Sequence, residues 1–253
     1  MLYQTYTTLC KQKKIFTGFS HRLPDYATKY WLDQFEHCIT TIKGSKKNFL
    51  DIGAGSGRLS TLLLNTYFSQ GAAIEVQVDH TIWKPLLQKH PGLKLYEGLL
   101  QDRIQDLISN HTTFDFIVLA EVFEHIPLCD VNGFLQALKK LLSDDGKIFL
   151  TTPNAVVLGP AEKSHMWHKR QPYGHHKHYT LKEMKEILEH HGFEITRHTF
   201  EGNIVKKHRY NRFFYPAARW DQKLLTTKKL PAIARKIYHI CSSPFITATE
   251  GIF

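Results

Sequence analysis

A chain of 253 residues, 42% of them hydrophobic, is long enough to bury a full core as one large domain or one domain with a modest addition. No apolar run approaches the ~18–20 residues of a spanning helix, and the polar, aromatic start MLYQTYTTLCKQKKIF lacks the apolar stretch of a secretory signal, so the expectation is a soluble, cytoplasmic protein. The net charge of +10 is unevenly placed: residues 203–253 hold ten Lys and Arg against Asp221 and Glu250, leaving the preceding body nearly neutral. Cys10, Cys38, Cys129 and Cys241 form no CxxC pair, which argues against structural zinc and a disulfide framework.

In chain order, residues 26–43 place Trp31, Phe35 and Cys38/Ile39 at three- and four-residue spacing and predict a helix. A strand is expected at Asn48–Ile52, followed by a glycine-rich turn and a helix carrying Leu59, Leu62, Leu63 and Tyr67. Then come strand Ala73–Val78, helix Ile82–Lys89, strand Leu93–Tyr96 and short helix Ile104–Ile108. Asp115–Ala120 is a continuous apolar run of the kind found in strands buried on both faces. Helix Leu135–Leu142 and strand Lys147–Thr152 follow, then an irregular His-rich stretch, helix Leu181–His190 closed by Gly192, and strand Phe193–Phe200. Residues 208–240 read as helical, and the final FITATEGIF as a last strand. This alternation predicts an α/β fold: a Rossmann-like, mostly parallel seven-stranded sheet with helices on both faces, a C-terminal antiparallel strand pair and a helical insertion or lid. The expected divisions are an N-terminal helical segment (1–45), a core (46–202) and a basic helical lid with the last strand (203–253).

The segment Asn48–Ser60, NFLDIGAGSGRLS, carries the chemistry. Its glycines let the backbone turn tightly and approach a ligand without intervening Cβ atoms. The spacing Gly53, Gly55, Gly57 differs from the GxGxxG of dinucleotide enzymes. Asp51, just before the first glycine, suits a cationic ligand better than a pyrophosphate. Asp79, in VQVDHTIW, is read as ending the second strand, where a carboxylate can accept bonds from two ribose hydroxyls. These residues resemble motif I and the second-strand acid of class I S-adenosylmethionine-dependent methyltransferases. The resemblance implies S-adenosylmethionine as cofactor. Gly53, Ala54, Gly55 and Gly57 would line its methionine and ribose part, Asp51 would hold the amino group and Asp79 the ribose. His80 or Ile82 would border the adenine, Gln101 would contact its edge, and Ala120 would close the site from the fourth strand.

FDFIVLAEVFEHIP, followed by FLQALKKLLSDDGKIFLTTPN and later by GHHKHYTLKEMKEILEHHGFEI, resembles the branch that includes ubiquinone-biosynthesis O-methyltransferases. The likeness runs from about residue 48 to 200, with Asp145-Gly146 standing where that branch has Gly-Gly. It implies methyl transfer to a small-molecule, lipid-linked or glycan-linked acceptor, at a hydroxyl oxygen. For such an acceptor a base beside the methyl group is useful. Glu121, Glu124 and His125 would share one face of a helical turn just past the fourth strand. Glu121, His125 and, from the loop His175, His176, His178, His176 are the candidate catalytic residues.

An alternative uses the same residues differently. ExxEH with a later histidine resembles the metal motif of small-RNA 2′-O-methyltransferases, which implies a divalent cation held by Glu121, Glu124, His125 and His176. The third reading is a cofactor-binding module without chemistry. The basic tail points to an anionic acceptor or peripheral contact with a membrane surface, with nucleic acid as the partner under the metal reading.

Overall fold

The computed structural model describes residues 1–11, 26–44, 46–98, 100–109, 113–153, 155 and 174–199. Two helices come first, α1 (Leu2–Lys11) and α2 (Tyr26–Thr40). Strand β1 (Asn48–Ile52) leads through the glycine turn into α3 (Arg58–Leu64), followed by β2 (Gln70–Glu75), α4 (His80–Lys89) and β3 (Leu93–Glu97). Then follow α5 (Leu100–Ser109), β4 (Phe114–Ala120), a single 3₁₀ turn (Phe123–His125), α6 (Val131–Leu141), β5 (Leu142–Thr151) and α7 (Leu181–His190). The strands form one parallel sheet in the order β3-β2-β1-β4-β5. The order reverses beside β1, so the carboxyl ends of β1 and β4 flank the crevice where open α/β sheets hold ligands.

Both sheet faces are covered, which explains why the strands read as apolar runs. Successive residues serve opposite cores. Leu50 and Ile52 of β1, Ile117 and Leu119 of β4, and Ile148 and Leu150 of β5 join the layer under α5, α6 and α7. Phe49, Phe116, Val118 and Phe149 face the layer under α1, α2 and α3. There Phe35 meets Phe116 and Phe149 edge-on, at 5.3 and 4.9 Å between ring centres. In α1, Leu2, Tyr6 and Leu9 fall at helical spacing and are buried in that layer. Helix α7 starts with a capping box: Glu183 N donates to the Thr180 hydroxyl oxygen, and Thr180 N donates to the Glu183 carboxylate.

Three expectations change. The second strand occupies Gln70–Glu75 rather than Ala73–Val78, because parallel pairing with β1 matches Asn48 with Gln70 and Ile52 with Ile74. Beyond Glu75 the chain turns, with Gln77 N donating to the Glu75 carboxylate at 2.9 Å. Strand β5 begins at Leu142, and a register shift beside Phe114 and Phe116 accommodates Ser143–Gly146. Phe193–Thr199 forms no strand beyond an isolated bridge residue at Ile195, so five strands stand among the described residues where seven were expected. The FITATEGIF strand, the helices of 208–240 and the basic lid lie outside the described residues. No helix among the described residues is long and apolar enough to cross a membrane.

Candidate active site

All three glycines of the turn have left-handed backbones, with φ of 70° at Gly53, 56° at Gly55 and 70° at Gly57. Two bonds lash the turn to β2: Gly53 N and Ala54 N both donate to the Ile74 carbonyl, at 2.9 and 3.1 Å. The glycines are not equivalent. A Cβ on Gly57 would lie 2.5 Å from Leu86 Cδ2 and 3.0 Å from the Trp83 ring, so this glycine allows α4 to close over the turn. A Cβ on Gly55 would meet no atom within 4 Å; that face is bare backbone open to a ligand. On Gly53 it would lie 2.5 Å from Val122 Cγ2, so the turn abuts the segment leaving β4.

The acids divide by role. Asp51 is buried beneath the turn, where its Oδ2 accepts from Ser60 N at 3.0 Å and from the Ser60 hydroxyl at 2.6 Å. Burial pushes its carboxyl up to about 6, against the opposing pull of the Ser60 bonds. Asp51 therefore braces the start of α3. Glu75, the last residue of β2, lies at the mouth of the turn and accepts from Gly55 N at 2.6 Å. Asp79 is four residues beyond the strand end and caps α4, accepting from Thr81 N at 2.9 Å. The Thr81 bonds hold its carboxyl below the usual range. His80 opens α4 and pairs with Glu97 across 3.3 Å. Gln101 falls in the first turn of α5, and Ala120 ends β4. Glu75 was missed in the sequence because VQV continues the strand's alternation. The signal that identifies it is the buried run Ala72-Ala73-Ile74, after which Glu75 is the first acid.

Past β4, Glu121, Glu124 and His125 do not share a helical turn. Glu121 has φ of 56°, the left-handed region, and its N–H donates to the Thr151 carbonyl at 3.0 Å; only Phe123–His125 coils. Glu121 is exposed, whereas Glu124 is fully buried and takes a 3.0 Å bond from the Thr152 hydroxyl. Burial, then repulsion from Glu121, raises the Glu124 carboxyl to about 8. Its other oxygen, Oε1, is buried without a hydrogen-bond partner among the described residues.

The His-rich loop docks on this turn by its backbone, His176 N donating to the Glu124 carbonyl at 2.7 Å. That bond leaves the His176 residue exposed and brings in its neighbour. The His175 ring meets His125 edge-on at 4.5 Å and contacts His178 through ring nitrogens. Glu124, His125 and His175 then hold ligand-type atoms within 4.8 Å of one another. The candidate loop histidine at the site is thus His175 rather than His176, and Glu121 stands outside the trio. The three-residue spacing of His175 and His178 was the available signal; which one would face His125 is decided by the Glu124–His176 backbone bond.

A methyltransferase domain family model matches residues 21–198, more than half of the chain. The chain belongs to the methyltransferase domain family. The matched domain is accordingly of the S-adenosylmethionine-dependent methyltransferase kind, and the bare face at Gly55 with the Glu75 carboxylate beside it fits that cofactor. The ubiquinone biosynthesis O-methyltransferase of Haemophilus ducreyi is 32% identical over 120 residues, 44% of this chain and 47% of that protein. The mitochondrial ubiquinone biosynthesis O-methyltransferase of Bos taurus is 26% identical over 155 residues, 56% of this chain and 39% of that protein. The likeness thus spans less than half the length of these relatives. Among solved structures, a SAM-dependent methyltransferase from Archaeoglobus fulgidus has a TM-score of 0.54 at 17% identity, covering 89% of this chain and 94% of its own. A SAM-dependent methyltransferase from Leishmania major has a TM-score of 0.55 at 13% identity, covering all of this chain and 83% of its own. At these identities the structural likeness establishes the fold.

Proposed function

We propose that this methyltransferase acts on a hydroxyl oxygen of a small-molecule, lipid-linked or glycan-linked acceptor held between the glycine turn and the Glu124–His125–His175 group. The observation that carries the reading is the abutment of Gly53 on Val122, which sets the glycine turn beside a histidine pair at the carboxyl end of the sheet. The relatives named as O-methyltransferases support oxygen as the acceptor atom.

S-adenosylmethionine supplies a methyl group already activated on sulfur, so the chain's task is alignment, exclusion of water and removal of one proton. Glu75 is positioned at the mouth of the turn to accept from ribose hydroxyls, a role taken from Asp79, which caps α4. Asp51 acts from below by holding Ser60. His125 or His175 takes the acceptor proton, and the loop around His175 screens the site from water. The basic residues of 203–253 favour an anionic acceptor.

Calorimetry with S-adenosylhomocysteine tests the donor half: Glu75→Ala should weaken binding at least tenfold and Asp79→Ala by less than threefold. Equal losses would refute the assignment. Radiolabelled methyl transfer to a panel offering phenolic hydroxyls, aliphatic hydroxyls or amines tests the acceptor half, and label on amines alone would refute oxygen.

A second reading is favoured by the buried, unpartnered Oε1 of Glu124 beside His125 and His175. A divalent cation of the magnesium or manganese class would satisfy that oxygen and orient two vicinal hydroxyls, as at the end of an RNA chain. Manganese titration followed by electron paramagnetic resonance decides it. Binding lost in Glu124→Gln supports the cation; no binding by the wild-type chain removes it.

A further inference from the structure

Gly55 is held by both of its backbone groups. Its N–H donates to Glu75 at 2.6 Å, and its carbonyl accepts from the indole N–H of Trp83 at 2.9 Å. Trp83 is fully buried in the first turn of α4, its own backbone N–H donating to the Asp79 carbonyl at 3.0 Å. The edge of its ring runs under Gly57, where a Cβ would come within 3.0 Å of it. One side chain thus touches the middle of the turn by hydrogen bond and its end by packing.

We infer that Trp83 is a positioning residue for the cofactor, fixing the Gly55–Ser56 peptide so that the turn keeps its open face toward the ligand. In a trans peptide the carbonyl oxygen and the following N–H point in opposite directions. With the Gly55 carbonyl drawn inward to a buried indole, the Ser56 N–H is turned outward, on the side where Gly55 presents bare backbone. Without the indole bond the peptide is free to rotate, because Gly55 tolerates many backbone conformations. The Glu75 bond does not replace it, since Glu75 engages the peptide on the other side of Gly55 and is the group assigned to the ribose. The inference rests on the cofactor lying at this turn. It also explains why Asp79 belongs near the site without touching a ligand: by capping α4 it sets the turn of helix that carries Trp83.

The test uses the full chain and S-adenosylhomocysteine. Trp83→Phe keeps an aromatic ring and removes the donor, and should raise the dissociation constant roughly three- to tenfold, the worth of one neutral hydrogen bond. Trp31→Phe, at a ring packed on Phe35 and Phe149, is the control and should bind as wild type. On the wild-type chain labelled with 5-fluorotryptophan, the fluorine resonance of Trp83 should move when ligand is added. That measurement decides the matter if Trp83→Phe does not fold. Wild-type affinity in Trp83→Phe, or an unmoved resonance, overturns the inference alone; failure of the wild-type chain to bind overturns the cofactor reading along with it.

Discussion

Asp51→Asn separates the folding cost of the buried acid from its service to the turn. In the folded chain burial raises the Asp51 carboxyl from 3.8 to about 6. The native state therefore keeps a proton that the unfolded chain has released, and this group's contribution to stability is fullest below pH 3.8 and is lost as pH rises through about 6. A rise of that size corresponds to roughly 3 kcal/mol in all, and the part lost between pH 5 and pH 8 is about 1 kcal/mol. Asparagine keeps an oxygen that can accept from Ser60 N and the Ser60 hydroxyl and removes the titration. Urea unfolding of both chains at pH 5 and pH 8 should show the variant gaining on wild type by about 1 kcal/mol over that interval. Other titrating groups are shared by the two chains and largely cancel. A difference between the chains that does not change with pH would refute the reasoning, as would a variant that loses ground at pH 8.

The two glycines at 55 and 57 should fail in different ways. Gly57→Ala combines a left-handed backbone with a clash against Leu86 and Trp83 and should cost about 2–4 kcal/mol of stability in chemical denaturation. Gly55→Ala meets no clash, so it should cost about 1 kcal/mol, while calorimetry shows weakened S-adenosylhomocysteine binding because the methyl group stands on the open face. Thr180→Ala should cost about 1 kcal/mol through loss of the α7 capping box, read in the same denaturation assay. On whichever panel compound is methylated, His175→Ala should reduce turnover about a hundredfold, whereas His176→Ala should stay within threefold, because His176 contributes a backbone N–H. The reverse order would overturn the loop geometry.

Much of the fold was legible because the core strands are buried on both faces, leaving Phe116–Ala120 of β4 as an unbroken apolar run and β1 apolar except at Asn48 and Asp51. The strand at β2 was placed three residues late because VQV mimics the alternation of a strand. The pairings of Ile52 with Ile74 and of Glu75 with Glu97 end it earlier. The glycine turn could be read directly, since its conformation is written in residues that tolerate positive φ. The acceptor side could not. The left-handed Glu121 follows from its anchorage to Thr151, thirty residues away, and the place of His175 follows from a backbone bond across fifty-two residues. No local spacing encodes either contact. Phe193–Thr199 shows the same limit: a ladder depends on a partner strand, and its own β-like pattern is not enough.

Val122 has a consequence of its own. Its methyl group is the distance piece between the glycine turn and the turn that carries His125, since Gly53 rests directly upon it. A side chain one carbon larger or smaller would shift both halves of the crevice relative to each other while leaving every group that bonds a ligand in place. On the proposed site, position 122 is therefore where the reach between methyl donor and acceptor can be tuned, changing the size of what is methylated without rebuilding the means of holding it.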